Sequence, residues 1–410
     1  MKYYLIAGEA SGDLHASHLM RRIKEFDAKA EFRFYGGDKM AEVGGEPVVH
    51  YRDLAFMGFV QVLKHLPQIL KGMKHCQEDI KSFAPDAVIL VDYPGFNLRV
   101  AKWVKKNLSQ VKVVYYISPK IWAWKEWRIK DIKRYVDLML SILPFEIEFY
   151  RSHQYEIQYV GNPTVDELAP LHSLPVEKTE FCARHGLKST DRIVALIPGS
   201  RKAELMGNLP LMLRALGELK GRLGCSSLPI LVAGAPGLSP EFYSDLLSRL
   251  AAKGVVEARE VKVIFGETES IMRVAHVAAV TSGTATLEAA YLGAPQVVCY
   301  SMGGGMLFYR IMKFVLRKIH YVSLVNLLLG KEGVKELLGP YLTSTSLASE
   351  LYALWGDTPN RLRQQEDYEE MRRILGPVGA PIRAAKIIIN EISKHEVSAM
   401  NSIDKIRTQV

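Results

Sequence analysis

The sequence predicts an α/β fold made of two doubly wound domains. Short apolar runs alternate with segments of helical periodicity along the whole chain, which is typical of parallel sheets covered by helices. The length of 410 residues is enough for two domains with a core each. The turn-rich stretch GNPTVDELAPLHSLP at 161–175 interrupts the alternation and indicates a connection between the domains.

Ten apolar runs predict the strands in chain order. Those of the first half are YYLIA, EFRFYG, DAVILVD, VKVVYYIS and IQYVG, and those of the second half are RIVALIPGS, LPILVAG, VKVIFG, HVAAVTSG and QVVCYS. We therefore expect an N-terminal domain over 1–165, a second domain over 166–345 and a C-terminal helical segment over 346–410. Ligands of open parallel sheets bind beyond the carboxyl ends of the strands, so the motifs at those ends are candidate sites.

Composition and charge limit the classes of function. The net charge of +9 and the pI of about 9.1 favour anionic partners such as nucleic acid, phosphorylated substrates or an acidic membrane surface. The four cysteines form no C-x-x-C pair, which predicts a reducing compartment without a disulfide framework or a zinc site. The sequence shows neither a signal-peptide pattern nor 18 consecutive apolar residues, so we expect a cytosolic protein that can touch a membrane.

The stretch VTSGTATLEAAYLGAP at 280–295 predicts an anion site. An apolar run gives way to small residues that open a helix, where unpaired N–H groups and the positive helix end suit a phosphate. These small residues are Ser282, Gly283, Thr284, Ala285 and Thr286. Glu288 cannot serve a phosphate, but its carboxylate can accept hydrogen bonds from a ribose diol. The alternative is a capped helix whose first-turn acid only stabilises the helix dipole.

A second candidate anion site follows the first strand of the second half, in IPGSRKAEL. Gly199 and Ser200 expose backbone amides, and Arg201 places a guanidinium at a helix start. A fixed cation beside such amides suits a pyrophosphate that gains charge as it leaves, although a surface arginine is commonly only solvated. The chain has no D-x-D pair and no H-E-x-x-H motif, so we expect no metal and no cofactor.

The loop IAGEASGDLHA after the first strand offers two carboxylates and a hydroxyl that can hold sugar hydroxyls. These groups belong to Glu9, Ser11 and Asp13. Gly8 and Gly12 are four positions apart, which matches neither a dinucleotide fingerprint nor a Walker A loop. The alternative is that Ser11 or Asp13 caps the next helix.

VDYPGFN at 91–97 ends another strand of the first half. Asp92 lies at the carboxyl edge of that strand and Asn97 in the following turn. Proline and glycine between them can simply form the turn.

Two amphipathic basic stretches predict contact with a lipid surface. FMGFVQVLKHLPQILKGMKH at 56–75 and MLFYRIMKFVLRKIHY at 306–321 each combine an apolar face with cations. The membrane-facing residues predicted in the first stretch are Phe59, Val62, Leu63, Leu66, Ile69 and Leu70. An ordinary half-buried helix has the same pattern, so this alternative stays open.

Taken together, these segments resemble the lipid-A-disaccharide synthase family, which are glycosyltransferases of the GT-B type. The resemblance covers nearly the whole chain and rests on an ordered set: AGEASGD, LAFMGFVQVL, VDYPGFN, YYISPKIWAWKEWR, LPFEIEFY, PGSRKAE, SGTATLEA and YVSLVNLLLGKEGVKELL. It implies two Rossmann-like domains that face a central cleft, with C-terminal helices that pack back on an N-terminal domain.

The resemblance also implies the reaction. UDP-2,3-diacylglucosamine glycosylates 2,3-diacylglucosamine 1-phosphate with inversion, which gives a β-1,6-linked disaccharide 1-phosphate and UDP. The same resemblance implies a peripheral protein at the cytoplasmic face of the inner membrane of Gram-negative bacteria. A homodimer that exchanges C-terminal helices is expected on these grounds.

Residue roles follow from the resemblance. The pyrophosphate of UDP is expected between Ser200, Arg201 and the helix start at 282–286, with Glu288 on the ribose and Asn326 near the donor. The acceptor is expected at the first-domain loops, at Ser11, Gly12 and Asn97.

The base that takes the proton of the acceptor hydroxyl is less closely defined. The family usually carries an acidic residue at the position of Gly95 and often a histidine at that of Asn162. Asp92, Glu9 and Asp13 are therefore the candidate bases, with Asp92 preferred, and Arg201 is expected to stabilise the departing UDP.

Two other classes of function stay open at this stage. Another UDP-sugar enzyme of the same architecture, such as a UDP-GlcNAc 2-epimerase or a transferase that builds peptidoglycan lipid, would differ in its dependence on acyl chains. A non-catalytic basic protein that binds membrane or nucleic acid is the second class. The basic residues are interspersed with acids and no RNA-type aromatic motif occurs, so we expect no nucleic-acid partner.

Overall fold

The computed structural model describes residues 1–54, 66–281, 283–301 and 320–407. Outside them lie Ser282 and residues 306–319 of the second amphipathic stretch. Of the predicted membrane-facing set, Phe59, Val62, Leu63 and the side chains of Leu66, Ile69 and Leu70 also lie outside the described part. None of the described helices combines the length and the hydropathy that a membrane span requires.

The chain divides into two compact units. The first unit comprises residues 1–166 and 377–410, and the second comprises 167–376. The division lies next to the predicted limit at 165/166, but residues 346–376 belong to the second unit, which corrects the prediction that all of 346–410 packs on the N-terminal domain. The physical reason is an apolar contact, because Leu347, Ala348 and Leu351 are buried in the core of the second unit.

The first unit is built on a seven-stranded parallel sheet with the order β3-β2-β1-β4-β5-β6-β7. Its strands are β1 (Lys2–Ala7), β2 (Glu31–Gly36), β3 (Glu46–His50), β4 (Ala87–Val91), β5 (Lys112–Tyr116), β6 (Leu138–Ser141) and β7 (Gln158–Tyr159). Alternate side chains of each central strand enter separate apolar clusters, so helices cover both faces of the sheet.

The helices of the first unit connect and cover these strands. They are α1 (Ala10–Phe26), α2 (Asp38–Val43), α3 (Tyr51–Leu54), α4 (Leu66–Phe83), α5 (Pro94–Asn107), α6 (Ile121–Trp124), α7 (Ile129–Tyr135) and α8 (Glu146–Ser152), with a 3-10 turn at Glu126–Arg128. The predicted turn-rich connection is mostly helical, since α9 (Pro163–Ser173) crosses the division between the units. Proline at its first position suits a helix start.

The second unit is built on a six-stranded parallel sheet with the order β10-β9-β8-β11-β12-β13. Its strands are β8 (Val194–Ile197), β9 (Ile230–Gly234), β10 (Val261–Phe265), β11 (Val277–Thr281), β12 (Gln296–Tyr300) and β13 (Lys335–Leu338). Two apolar clusters again occupy opposite faces of the sheet.

The described helices of the second unit follow its strands. They are α10 (Lys178–Arg184), α11 (Lys202–Leu223), α12 (Pro240–Ala252), α13 (Thr268–Val274), α14 (Thr284–Tyr291), α15 (Leu324–Leu329), α16 (Ser344–Ala353) and α17 (Pro359–Leu375), with 3-10 turns at Val256–Arg259 and Gly339–Tyr341. The last helix, α18 (Ala380–Arg407), belongs to the first unit, where Ala384, Ala385 and Ile388 join the apolar cluster that contains α1.

Both sheets reverse their strand order at one point, and that point locates the candidate site. In the first unit the reversal lies between β1 and β4, where Ala7 pairs with Val91. In the second unit it lies between β8 and β11, where Ile197 pairs with Val280. Ligands of open α/β sheets bind beyond the carboxyl ends of the strands at such a reversal. The predicted loops after these four strands therefore lie where ligand binding is expected.

Candidate functional site

The loop after β4 holds two successive non-glycine residues in the left-handed region of backbone space. The φ angle is 44° at Asp92 and 48° at Tyr93. Each such residue costs about 1–3 kcal/mol and persists only where its surroundings hold it, and such strain is concentrated at functional sites. This backbone places the carboxylate of Asp92 at the end of the sheet.

The side chain of Asn97 holds the Asp92 backbone in this conformation. Its buried amide donates to the carbonyl oxygen of Asp92 at 2.8 Å and to that of Val91 at 3.3 Å. The hydroxyl of Tyr115 donates to the same Asp92 oxygen at 2.6 Å. The amide nitrogen of Asn97 therefore positions Asp92, and its predicted contact with the acceptor stays a prediction.

A close contact joins the loops after β1 and β4. The ring of Tyr93 lies against Gly8, where a Cβ atom would approach the ring carbons to 2.4 Å. Any larger residue at this position would collide with the Tyr93 ring, so only glycine fits. Glu9 and Ser11 are exposed beside this contact, whereas Gly12 is buried against Ala7 and allows α1 to approach β1.

The environment of Asp92 favours the protonated carboxyl more than water does. Burial raises the pKa of Asp92, and the nearby Glu9 carboxylate raises it further. The Lys120 ammonium and the N–H group of Tyr93 oppose this rise. A carboxylate with a raised pKa is a stronger base than a solvated one, which suits proton abstraction from a hydroxyl.

Asp13 is occupied by the backbone of another helix. One of its oxygens accepts hydrogen bonds from the N–H groups of Gly37 at 2.7 Å and Met40 at 3.2 Å, and the other accepts from Lys39 at 3.1 Å. These groups open α2, so the buried carboxylate caps that helix. The prediction that Asp13 is a candidate base is corrected for this reason, and Asp92 and Glu9 remain.

In the second unit, the loop after β8 converges on a single carboxylate. Glu204, the third residue of α11, accepts hydrogen bonds from the N–H groups of Ser200 at 3.2 Å and Arg201 at 3.3 Å. The Arg201 guanidinium, whose side chain is 75% exposed, donates to Glu204 at 3.1 Å. Gly199 has a φ of 119° and leaves room for Glu204, whose side chain a Cβ would meet at 2.7 Å. Two amides and a guanidinium thus form a receptor for an oxyanion.

The loop after β11 leads into α14, which begins at Thr284. Gly283 caps the helix with a φ of 155°, and its carbonyl accepts a hydrogen bond from the Thr286 hydroxyl at 2.8 Å. Thr286 is fully buried, so its side chain serves this internal bond, and the predicted contact of the helix start with a phosphate stays a prediction. Thr284 is exposed and Ala285 half-buried.

Glu288 lies one turn further along α14, in the second turn of the helix. Burial raises its pKa, a hydrogen bond from Thr284 opposes the rise, and the Glu269 carboxylate adds to it. The residue is half-buried and stands beyond the same strand end as the helix start. Its carboxylate is therefore placed to accept hydrogen bonds from a neutral diol.

Asn326 forms a buried turn rather than a ligand contact. Its amide nitrogen donates to the Val334 carbonyl at 2.8 Å and to Glu336 at 2.9 Å. Its oxygen accepts from the N–H groups of Gly333 and Val334, each at 2.9 Å. All of its hydrogen-bonding capacity is used inside the fold, and its predicted place near the donor stays a prediction.

Comparisons with known proteins identify the family. The model of the family described as lipid-A-disaccharide synthetase matches residues 3–380. A lipid-A-disaccharide synthase of Myxococcus xanthus (strain DK1622) is 37% identical over 385 residues, which cover 94% of this chain and 96% of that protein. One of Geobacter metallireducens is 34% identical over 390 residues, with 95% and 97% covered. The chain belongs to the lipid-A-disaccharide synthase family.

Solved structures confirm the predicted GT-B fold. A putative UDP-N-acetylglucosamine 2-epimerase of Listeria monocytogenes matches with a TM-score of 0.60 and 13% identity over 95% of this chain and 94% of that one. A UDP-GlcNAc 2-epimerase of Neisseria meningitidis matches with a TM-score of 0.58 and 13% identity over 96% and 100%. At such identities the likeness concerns the fold alone.

Two buried polar side chains near the strand ends of this family member are not predicted from the sequence. Glu146, after β6, accepts hydrogen bonds from the hydroxyls of Ser118 and Ser141 and from the Trp122 indole at 2.9 Å, and burial raises its pKa to about 6. Asn208 of α11 contacts the ends of three strands in the second unit. The sequence offers one signal for such residues, namely a polar residue within an otherwise apolar helix face or at the end of an apolar strand.

Within the described ranges, no group of three or more His, Cys, Asp or Glu side chains could hold a metal ion.

Proposed function

We propose that this family member transfers 2,3-diacylglucosamine from UDP to 2,3-diacylglucosamine 1-phosphate and releases UDP. Its family membership makes it a hexosyltransferase that forms the disaccharide of lipid A. The observation that carries the proposal is the convergence of two amides and one guanidinium on a single oxyanion, at the strand reversal of the second sheet.

The donor nucleotide binds the second unit in this proposal. Its diphosphate takes the place of the Glu204 carboxylate on Ser200 and Arg201, because carboxylate and phosphate oxygens accept the same hydrogen bonds. The N–H groups at the start of α14 receive the other phosphate oxygens, and Glu288 accepts hydrogen bonds from the ribose hydroxyls. Gly283 and Thr284 leave the helix start open to the ligand, which supports this placement.

Chemistry proceeds by one displacement with inversion. The 6-oxygen of the acceptor attacks the anomeric carbon from the side opposite UDP, and the bond between that carbon and the phosphate oxygen breaks. The hydroxyl proton goes to Asp92, and the bonding electrons leave with UDP. Arg201 and the helix N-terminus stabilise the charge that develops on UDP, where the loss of one such donor costs on the order of 10²–10³ in rate.

The acylated substrates place the reaction at a lipid surface. We propose that the protein associates peripherally with the cytoplasmic face of the inner membrane through the stretch 56–75, with the acceptor at the loops after β1 and β4. We also propose a homodimer in which α18 is exchanged. The apolar contact between α18 and α1 supports this proposal, since a partner can supply the same helix face. Light scattering after size-exclusion chromatography tests the dimer.

Mass spectrometry of the products tests the proposed reaction. Wild-type protein incubated with the two diacylated sugars in detergent is expected to yield the disaccharide 1-phosphate and UDP. The Asp92→Asn variant is the matched control and is expected to be slower by roughly 10²–10⁴. Turnover of unacylated UDP-GlcNAc without disaccharide formation would contradict the proposal.

A further inference from the structure

We propose that Asn208 is the positioning residue of the donor site. Its buried amide ties together the ends of three neighbouring strands, so that the two phosphate-binding loops keep one relative geometry. The inference rests on the proposed binding of UDP to the second unit and adds a residue that touches no ligand.

The contacts of Asn208 are short and reach three separate strand ends. Its nitrogen donates to the Pro198 carbonyl at 3.1 Å and to the Thr281 hydroxyl at 2.9 Å, and its oxygen accepts from the N–H group of Ser301 at 2.9 Å. These partners follow or end β8, β11 and β12, which are adjacent in the sheet. The side chain is 1% exposed, so these bonds do not compete with water.

The tied positions are those from which the donor loops begin. Pro198 precedes Gly199 and the amides of Ser200 and Arg201, and Thr281 closely precedes Gly283 at the start of α14. Both glycines have positive φ angles, and glycine loses more conformational freedom on ordering than other residues. The hydrogen bonds from Asn208 at the base of each loop reduce the number of loop conformations, and therefore the entropy that the loops lose when UDP binds.

The geometry of α11 indicates that Asn208 serves the loops rather than the attachment of the helix. The helix is already held by a row of buried apolar residues, including Leu205, Leu209 and Met212. The neighbouring Gly207 lets the helix approach the third strand end, since a Cβ there would lie 3.1 Å from the Ser301 hydroxyl. The three partners need two donor hydrogens and one acceptor, which a side-chain amide supplies and a hydroxyl does not.

Removal of the amide tests the inference. Asn208→Leu keeps a side chain of similar size but loses all three bonds, and we expect the dissociation constant for UDP and the donor KM to rise at least tenfold while the acceptor KM is unchanged. Amide hydrogen exchange in the loops at 198–201 and 283–286 is expected to accelerate in the absence of ligand. Thr281→Val removes one of the three hydrogen-bond partners and is expected to raise the UDP dissociation constant by a smaller factor. This variant provides the test if Asn208→Leu does not fold.

A buried polar residue on the same helix provides the matched control. Lys220, near the opposite end of α11, pairs at 2.7 Å with Glu260, which directly precedes the amino end of β10, so Lys220→Met is expected to lower thermal stability without changing UDP affinity. Unchanged UDP affinity in Asn208→Leu and Thr281→Val, or an equal loss in Lys220→Met, would overturn the positioning role alone. A wild-type protein that fails to bind UDP would overturn the proposed function together with this inference.

Discussion

At the residue scale, the proposed chemistry depends on the carboxylate of Asp92. Its backbone is held in a strained conformation by hydrogen bonds from Asn97 and Tyr115 to its carbonyl oxygen, so the loop conformation does not depend on a substrate. Burial raises its pKa, and two charges of opposite sign, Lys120 and Glu9, modulate the rise. The position and the basicity of the group therefore have separate structural causes.

The pH dependence of turnover should report these two charges. Asp92 accepts a proton only when ionised, so kcat/KM falls as the pH drops through its raised pKa. Lys120→Gln removes an opposite charge and is expected to move this acid limb to higher pH, whereas Glu9→Gln removes a like charge and is expected to move it to lower pH. Profiles of kcat/KM for the two variants and the wild type provide the measurement. Coincident profiles would exclude Asp92 as the titrating base.

The position of Gly95 allows a gain-of-function test. It is the second residue of α5, and a Cβ atom there meets nothing within 4 Å. Gly95→Asp is expected to raise the free energy of unfolding by roughly 0.5–1 kcal/mol, because glycine is replaced in a first helical turn by an acid. In the Asp92→Asn background the same change is expected to restore part of the turnover. Equal turnover with Gly95→Asn, which lacks the charge, would contradict this expectation.

Glu204 should oppose the binding of UDP in the proposed site. Its charge occupies the donors of Ser200 and Arg201 and repels a diphosphate that approaches them. Glu204→Gln keeps an acceptor for the backbone but removes the charge, and we expect UDP to bind roughly fivefold more tightly, which is about 1 kcal/mol. Calorimetric titration with UDP provides the measurement, and Glu218→Gln on the same helix is the control. Weaker binding in Glu204→Gln would show that the carboxylate supports the loop instead.

At the scale of elements, buried polar side chains fix the strand ends in both units. In the first unit Glu146 joins the ends of β5 and β6 through Ser118 and Ser141 and also holds the Trp122 indole of α6. In the second unit Asn208 has the corresponding place after β8, β11 and β12. In each unit, a buried polar side chain therefore links neighbouring strand ends to the segments that follow them.

The pH dependence of stability should reveal the anchor in the first unit. Burial raises the pKa of Glu146 from 4.5 to about 6, so the folded protein binds this proton more tightly than the unfolded chain does. Its contribution to the free energy of unfolding therefore falls by about 2 kcal/mol as the pH rises through this interval. Glu146→Gln is expected to lack this loss, so urea titrations should show its stability relative to the wild type increasing by that amount. Glu148→Gln, at an exposed position of the same helix, is the control, and a Glu146→Gln difference that does not change with pH would contradict the assignment.

The elements that the sequence did not predict are those whose state depends on neighbours. The strands Leu138–Ser141 and Lys335–Leu338 consist largely of residues that favour helices, and their pairing with β5 and β12 overrides that preference. The edge strand Glu46–His50 contains Pro47 and is partly exposed, so it lacks the apolar run of a central strand.

The candidate site was predictable in location but not in every side-chain role. The change from apolar to polar residues at each strand end is visible in the sequence. It predicts that Asp92, Arg201 and Glu288 lie beyond the carboxyl ends of strands. The partners of a buried polar group are not visible, since those of Asp13 lie 24 to 27 positions away and those of Asn208 up to 93. Such roles appear only once the chain is folded.

At the scale of the whole molecule, the two units repeat one arrangement. Each has a parallel sheet whose strand order reverses once, and each places its candidate residues on the two loops beside that reversal. The loops differ in charge, because the first unit presents the carboxylates of Asp92 and Glu9, and the second presents amides and the guanidinium of Arg201. This difference matches the division of labour that the proposed transfer needs between a base and an anion receptor.

A crystal structure of the protein with UDP tests this division most directly. The account predicts that the diphosphate replaces the Glu204 carboxylate on the N–H groups of Ser200 and Arg201, and that the ribose hydroxyls donate to Glu288. A nucleotide bound elsewhere, with the Glu204 contacts retained, would contradict the central claim.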